Sequence, residues 1–238
     1  MQQFFEFPVT PAFSFESFVV CDGNAAALQF ARRIADPADP ENLLYLHGPS
    51  GSGKTHLLKA VVQTLNVAGS CPVPYLSCGE AFTPEGLSSR FAGSAALIVD
   101  DLQLLPDDAA LRAALWQLFN DFHGSGRKVA LAGLYPPREL PGLDDHLVSR
   151  LLWGLVARVD ASDDRSRRMI LMKIADDRQV RVPDEVMEYI LVTASREVGE
   201  LIAVFEALYR LSMAEKRRIT LPLARECREL LAAGGRAR

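Results

Sequence analysis

GPSGSGKT, residues 48–55, follows the apolar run LLYLHG (43–48) and opens the amphipathic stretch KTHLLKAVVQTLN (54–66). Glycine, four residues, then Gly-Lys-Thr, set between a strand pattern and a helix pattern, is the full phosphate-loop signature in the context that gives it meaning. The glycines let backbone N–H groups turn inward around phosphate oxygens, Lys54 reaches the β and γ phosphates, and Thr55 offers its hydroxyl to Mg²⁺. Gly48, Pro49, Ser50, Gly51, Ser52, Gly53, Lys54 and Thr55, with His56 next in line, are therefore the expected cofactor-binding residues.

Such a loop needs an acid at the end of a neighbouring strand to hold the metal, and AALIVDD (95–101) supplies two. Asp100 is the expected partner of Thr55 in Mg²⁺ binding. Asp101 stands where a carboxylate acts as general base toward water. The two motifs together specify an adenine or guanine nucleotide site, and hydrolysis is a separate question.

Outward from this centre, short apolar runs alternate with helical patterns, as in a parallel sheet covered on both faces. Strands are predicted at 43–48, 73–78, 95–101, 128–134 and 155–160, with helices at 54–66, 84–91, 107–122 and 142–153. After Asp160 the strands stop. Helices are predicted at 163–178, 184–194, 197–215 and 221–233, with Ser162, Asp163 and Asp164 as N-cap chemistry, Pro183 opening the second and Gly234 and Gly235 closing the last. The organisation expected is a tail over 1–12, a nucleotide-binding α/β domain over 13–160 and a smaller all-α domain over 161–238.

Composition removes other classes. A net charge of −4 gives no global basic field, so DNA contact is expected to be weak or indirect. Cys21, Cys71, Cys78 and Cys227 show no zinc-ligand spacing and read as free thiols of a cytoplasmic protein. No apolar run nears the roughly 20 residues of a membrane span, and no membrane partner is expected. Trp116 and Phe119 read as core, Cys78 as a small buried hydrophobe, and EKRR (215–218) as a solvated helix end.

FSFESFVV (13–20), GPSGSGKTHLLKAV, IVDDLQ, YPPREL, SRLLWGL (149–155) and ILMKIADDR occur in the order and spacing of the DnaA-related AAA+ proteins, which this chain resembles over about 13–215. The resemblance implies an AAA+ fold with strand order 5-1-4-3-2, a helical lid, ATP or ADP as cofactor, and Val19 and Val20 beside the adenine. Within that group the layout is closest to Hda, the regulatory branch: only 79–94 separates the second strand from the Asp pair, and the chain stops soon after the lid. The function then implied is negative regulation of replication initiation, with DnaA and the polymerase sliding clamp as partners and a capacity for self-association. Arg150 falls at the position of an arginine finger, delivered in trans to a partner's ATP. His146, four positions earlier, replaces a second basic residue of the family.

Two family sensor positions are changed. Leu134 stands where a polar residue is usual, and Gly199 where the lid carries an arginine; Arg196 lies one turn earlier on the same face. These losses predict a nucleotide binder with weak intrinsic ATPase activity at most. Two other readings stay open. A helicase-loader-like or shortened DnaA paralogue would bind DNA in a salt-dependent way, and an independent nucleotide enzyme would need its own substrate pocket.

The first residues, MQQFFEFPVT, carry more apolar surface than a frayed end needs. Through the resemblance, Gln2 or Gln3 followed by Phe4, Phe5 and Phe7 is the expected clamp-binding peptide, in either of two registers, its aromatics entering a groove on the partner.

Overall fold

The computed structural model describes residues 13–69, 71–141 and 145–234. Contacts gather these into two compact units, one made of 13–18, Ala26–His47 and Lys54–Ala157, the other of Val19–Ala25, Gly48–Gly53 and the chain from Arg158 onward.

The first unit is built on a parallel sheet of β1 (Leu43–His47), β2 (Tyr75–Ser77), β3 (Ala96–Asp100), β4 (Lys128–Gly133) and β5 (Leu155–Arg158), in the order β2-β3-β4-β1-β5. Read from the other edge, this is the expected 5-1-4-3-2. The central strands are near-continuous runs of Leu, Ile, Val and Ala because both sheet faces are covered, and β3 and β4 are buried along their whole length. Register sets Tyr45 beside Leu131 and Leu131 beside Val99, so β1, β3 and β4 end at one edge. That edge is where open parallel sheets take ligands.

Helices α1 (Ala25–Ala35), α2 (Lys54–Ala68), α3 (Pro84–Arg90), α4 (Ala109–Gly124) and α5 (Asp145–Leu151) belong with the sheet sequence. The core joins Leu97 and Val99 to Phe91, Trp116, Phe119 and Phe122, with Trp116 set edge-on to Phe119 at 5.7 Å. Three features differ from the sequence reading. Helix α1 is additional: it buries Ala27, Leu28, Ala31, Ile34 and Ala35, a helical stripe whose small alanines conceal it from a search for large apolar residues. Helix α4 starts at Ala109 rather than 107, because the Asp108 carboxylate accepts from the N–H groups of Ala110 and Leu111 and so caps it. Helix α5 ends at Leu151. The chain then turns through Gly154, where any Cβ would lie 2.5 Å from the Leu43 side chain.

The second unit contains α6 (Asp164–Asp177), α7 (Asp184–Thr193), α8 (Val198–Glu215) and α9 (Leu221–Gly234). Asp163 caps α6 by accepting from the Ser166 N–H at 2.9 Å, and Pro183 precedes α7. The core comprises Leu171, Val186, Ile190, Leu201, Phe205, Leu208 and Leu223. Lys216 closes α8 in the left-handed conformation (φ 55°), and Arg217 then pairs with both Glu215 and Glu226. Among the described residues no helix is long and apolar enough to cross a membrane.

Candidate functional site

The phosphate loop is forced by backbone geometry. Gly48 has φ +148°, and a Cβ there would meet the Val159 carbonyl oxygen at 2.1 Å. Gly51 has φ +70°, and its Cβ would stand 2.4 Å from the Gly199 nitrogen at the start of α8. Only glycine satisfies both conditions at either place. Between them the loop turns through a hydrogen bond from the Ser52 N–H to the Pro49 carbonyl, 3.3 Å. Ser52 is buried, and its hydroxyl has no hydrogen-bond partner among the described residues. A buried hydroxyl of this kind asks for an acceptor, and a glycine-rich turn beside it fits phosphate oxygens.

The same unit holds Val19 and Val20. Val19 packs with Cys21 on Ala161, Ile170 and Val198, while Val20 is exposed. Asn24, 2% exposed, fixes this turn: its amide donates to the Val19 carbonyl at 3.0 Å and its oxygen accepts from the Cys21 N–H at 2.8 Å. Sequence reasoning passed over Asn24, and its only signal was an Asn in a Gly-containing turn.

In the first unit, Asp100 is fully buried at the end of β3. Its Oδ2 accepts from the Thr55 hydroxyl at 2.6 Å and the Tyr75 hydroxyl at 2.7 Å, and its Oδ1 from the Asp101 N–H at 2.8 Å. A hydroxyl and a carboxylate already in contact are the hard oxygen donors that Mg²⁺ prefers. Tyr75 was not foreseen, although VPYLSC places a hydroxyl on the strand next to the Asp pair. Burial pushes the Tyr75 hydroxyl up, and the Asp100 charge adds to it, so it stays a donor. Lys54 is buried too; burial pushes its ammonium down, and Asp100 and Asp101 work against that.

Asp101 adopts the left-handed conformation (φ 57°), which Asp tolerates. Its carboxylate accepts from Ser77 Oγ and from Gln103 Nε2, both at 3.1 Å. The Gln103 oxygen in turn accepts from the Leu134 N–H at 3.0 Å. Thus Leu134, whose side chain is apolar, is reached through its backbone by the amide that also bonds Asp101.

His56 is held by the segment 13–18. Its Nε2 is 2.9 Å from the Ser14 carbonyl and 3.2 Å from Ser17 Oγ, and Phe13 and Phe18 meet its ring edge-on at 5.4 and 5.3 Å. Burial holds its pKa below the usual value. One turn on, Lys59 Nζ lies 4.5 Å from the Phe13 ring centroid and 5.1 Å from that of Tyr75. The segment ahead of Val19 is strapped to α2.

Arg150 is half-buried on α5 and donates through Nη1 to the Asn120 side-chain oxygen. His146 and Arg196 are exposed, and Leu134 is half-buried. Gln2, Gln3, Phe4, Phe5 and Phe7 lie outside the described residues.

The model of the bacterial DnaA ATPase domain matches residues 9–158. This chain belongs to the DnaA ATPase-domain family. A second model, the Hda lid domain, matches 164–227. The chromosomal replication initiator protein DnaA of Clavibacter sepedonicus is 32% identical over 206 residues, which are 81% of this chain and 43% of that protein. The chain therefore spans less than half the length of this curated DnaA relative. Domain III of Thermotoga maritima DnaA superposes with a TM-score of 0.81 at 25% identity, covering 92% of this chain and 97% of that one. Two further structures share the fold: AMPPCP-bound DnaA from Aquifex aeolicus (TM-score 0.74, 24% identity, 85% of this chain and 66% of that one) and Thermotoga maritima RuvB (0.67, 17%, 92% and 72%).

Proposed function

We propose that this DnaA-family chain is an Hda-like negative regulator of replication initiation: it binds ATP or ADP with Mg²⁺ and, docked on the sliding clamp, presents Arg150 to ATP held by DnaA. The observation that carries this reading is an asymmetry. The phosphate loop and the Thr55–Asp100 pair are complete, while the two sensor positions offer no polar side chain. Gly199 lies backbone to backbone on Gly51, and Leu134 contributes only its N–H. A site so equipped holds nucleotide and turns it over weakly.

In this reading Gly48–Thr55 bind the phosphates, Thr55 and Asp100 hold the metal, and Val19 and Val20 flank the base, with His56 fixing the segment that leads to them. Asp101, oriented by Ser77 and Gln103, is the acid placed to take a proton from water. Bound Mg²⁺ and nucleotide supply phosphate charge and a hydrolysable anhydride. Residues 13–160 form the nucleotide domain, 161–238 the lid, and 1–12 the clamp peptide. The match of 164–227 to the Hda lid supports the regulatory branch. The Arg150 guanidinium supplies positive charge where a partner's transition state builds negative charge, a contribution worth about 10³ to 10⁵ in rate in arginine-finger systems.

The test mixes the full chain with ATP-loaded DnaA and DNA-loaded clamp. The wild-type chain is expected to accelerate hydrolysis and the Arg150→Ala chain to lose that acceleration. Equal acceleration by both would overturn the assignment.

A further inference from the structure

The guanidinium read above as a finger is held from a neighbouring helix. Arg150 Nη1 donates to Asn120 Oδ1 on α4, and both residues are half-buried. The same α4 face continues the support. The Phe119 and His123 rings stack at 5.8 Å with 6° between their planes, and His123 lies 6.1 Å from Trp153 just beyond α5. The His123 carbonyl is itself fixed by the Asn42 amide at 3.0 Å. Phe119, Asn120 and His123 thus make a platform, rooted in the core through Phe119, on which the Arg150–Trp153 turn rests. None of the ion pairs among the described residues includes Arg150.

The choice of an amide matters. A carboxylate at 120 would accept the same hydrogen bond but cancel the charge, whereas an amide oxygen fixes one N–H and leaves the charge and the remaining donors of the guanidinium for another acceptor. We propose that Asn120 is the positioning residue of Arg150: it sets the direction of the guanidinium on α4 without discharging it. This rests on the reading of Arg150 as a finger, so both are tested in one assay.

The variants are Asn120→Ala, the isosteric Asn120→Asp, and Arg150→Ala as reference, each melted to confirm folding and titrated into ATP-loaded DnaA with loaded clamp. Because a misplacement of about 1 Å can cost ~10²-fold, Asn120→Ala is expected to lower the maximal stimulated rate about 10- to 100-fold with the half-saturating concentration unchanged. Asn120→Asp keeps the acceptor, so a merely structural role predicts wild-type behaviour, and positioning without neutralisation predicts a similar fall. A wild-type rate from either variant, while Arg150→Ala is inactive, overturns the proposal and leaves the functional reading standing. If Arg150→Ala is itself fully active, that reading fails. Nitrogen-15 spectra of the arginine side chains then decide positioning alone: rotation of the Arg150 Nη groups should be slow in the wild type and fast in Asn120→Ala, and no difference would refute the hold.

Discussion

Tyr75→Phe isolates the hydroxyl that steadies the buried acid. The substitution keeps the ring beneath Lys59 and removes only the 2.7 Å bond to Asp100 Oδ2. Hydrogen bonds to charged groups contribute about 1.5–3 kcal/mol. Asp100 keeps two donors, the Thr55 hydroxyl at 2.6 Å and the Asp101 N–H at 2.8 Å, so its charge is not orphaned and the low end applies, about 1.5–2 kcal/mol. For a chain of this size that is a fall of ~3–8 °C in melting temperature. Both tryptophans, Trp116 and Trp153, lie in the unit that holds Tyr75, so tryptophan fluorescence during urea unfolding reads the relevant unit. Calorimetric titration with ATP should show weakened binding in Mg²⁺ and unchanged binding in EDTA, because the damage is confined to the carboxylate that would hold the metal in the proposed reading. A change in unfolding free energy below about 0.3 kcal/mol, well under the low-end hydrogen-bond estimate, would refute the claim that Tyr75 orients a charged Asp100.

The two glycines that meet in the second unit should respond with opposite signs. Gly51→Ala combines φ +70° with a 2.4 Å approach to backbone and should cost about 2 kcal/mol or more, whereas Gly199→Ala meets Gly51 Cα at an ordinary 3.5 Å and should gain ~0.5–1 kcal/mol as a helix substitution. Circular-dichroism melts of the pair decide it, and shifts of the same sign would show that the contact is misjudged. His56 adds a pH dependence. Burial lowers its folded pKa beneath the ordinary 6.5, so below that pH the unfolded chain binds a proton the folded ring resists, and stability falls as pH drops. Urea midpoints at about pH 7.5 and 5.5 should differ less in His56→Gln than in the wild type, and an equal difference would clear His56 of the effect.

The sheet and its order were legible because buried parallel strands need continuous apolar runs, and the phosphate loop because its glycines answer steric demands that no other residue meets. Helix α1 was not, since alanines bury little area and leave a faint stripe. The contact of Thr55 with Asp100 was legible because chemistry fixes both residue types there. The site was illegible where long-range pairing chooses the partner. Tyr75 is 25 residues from Asp100 and Asn120 is 30 from Arg150, separations that only the sheet register and helix packing bring together. Gln103 hides for another reason: an amide two residues past the Asp pair looks like surface until its two ends are seen bonded to β3 and β4 exits.

The strap on α2 has a mechanical consequence. Ser14, Ser17, Phe13 and Phe18 grip His56, which follows Thr55 directly in the chain. A perturbation of residues 13–18 is therefore delivered to the first turn of α2. That turn carries Lys54 and Thr55, so the packing of residues 13–18 and the placement of these two side chains are linked.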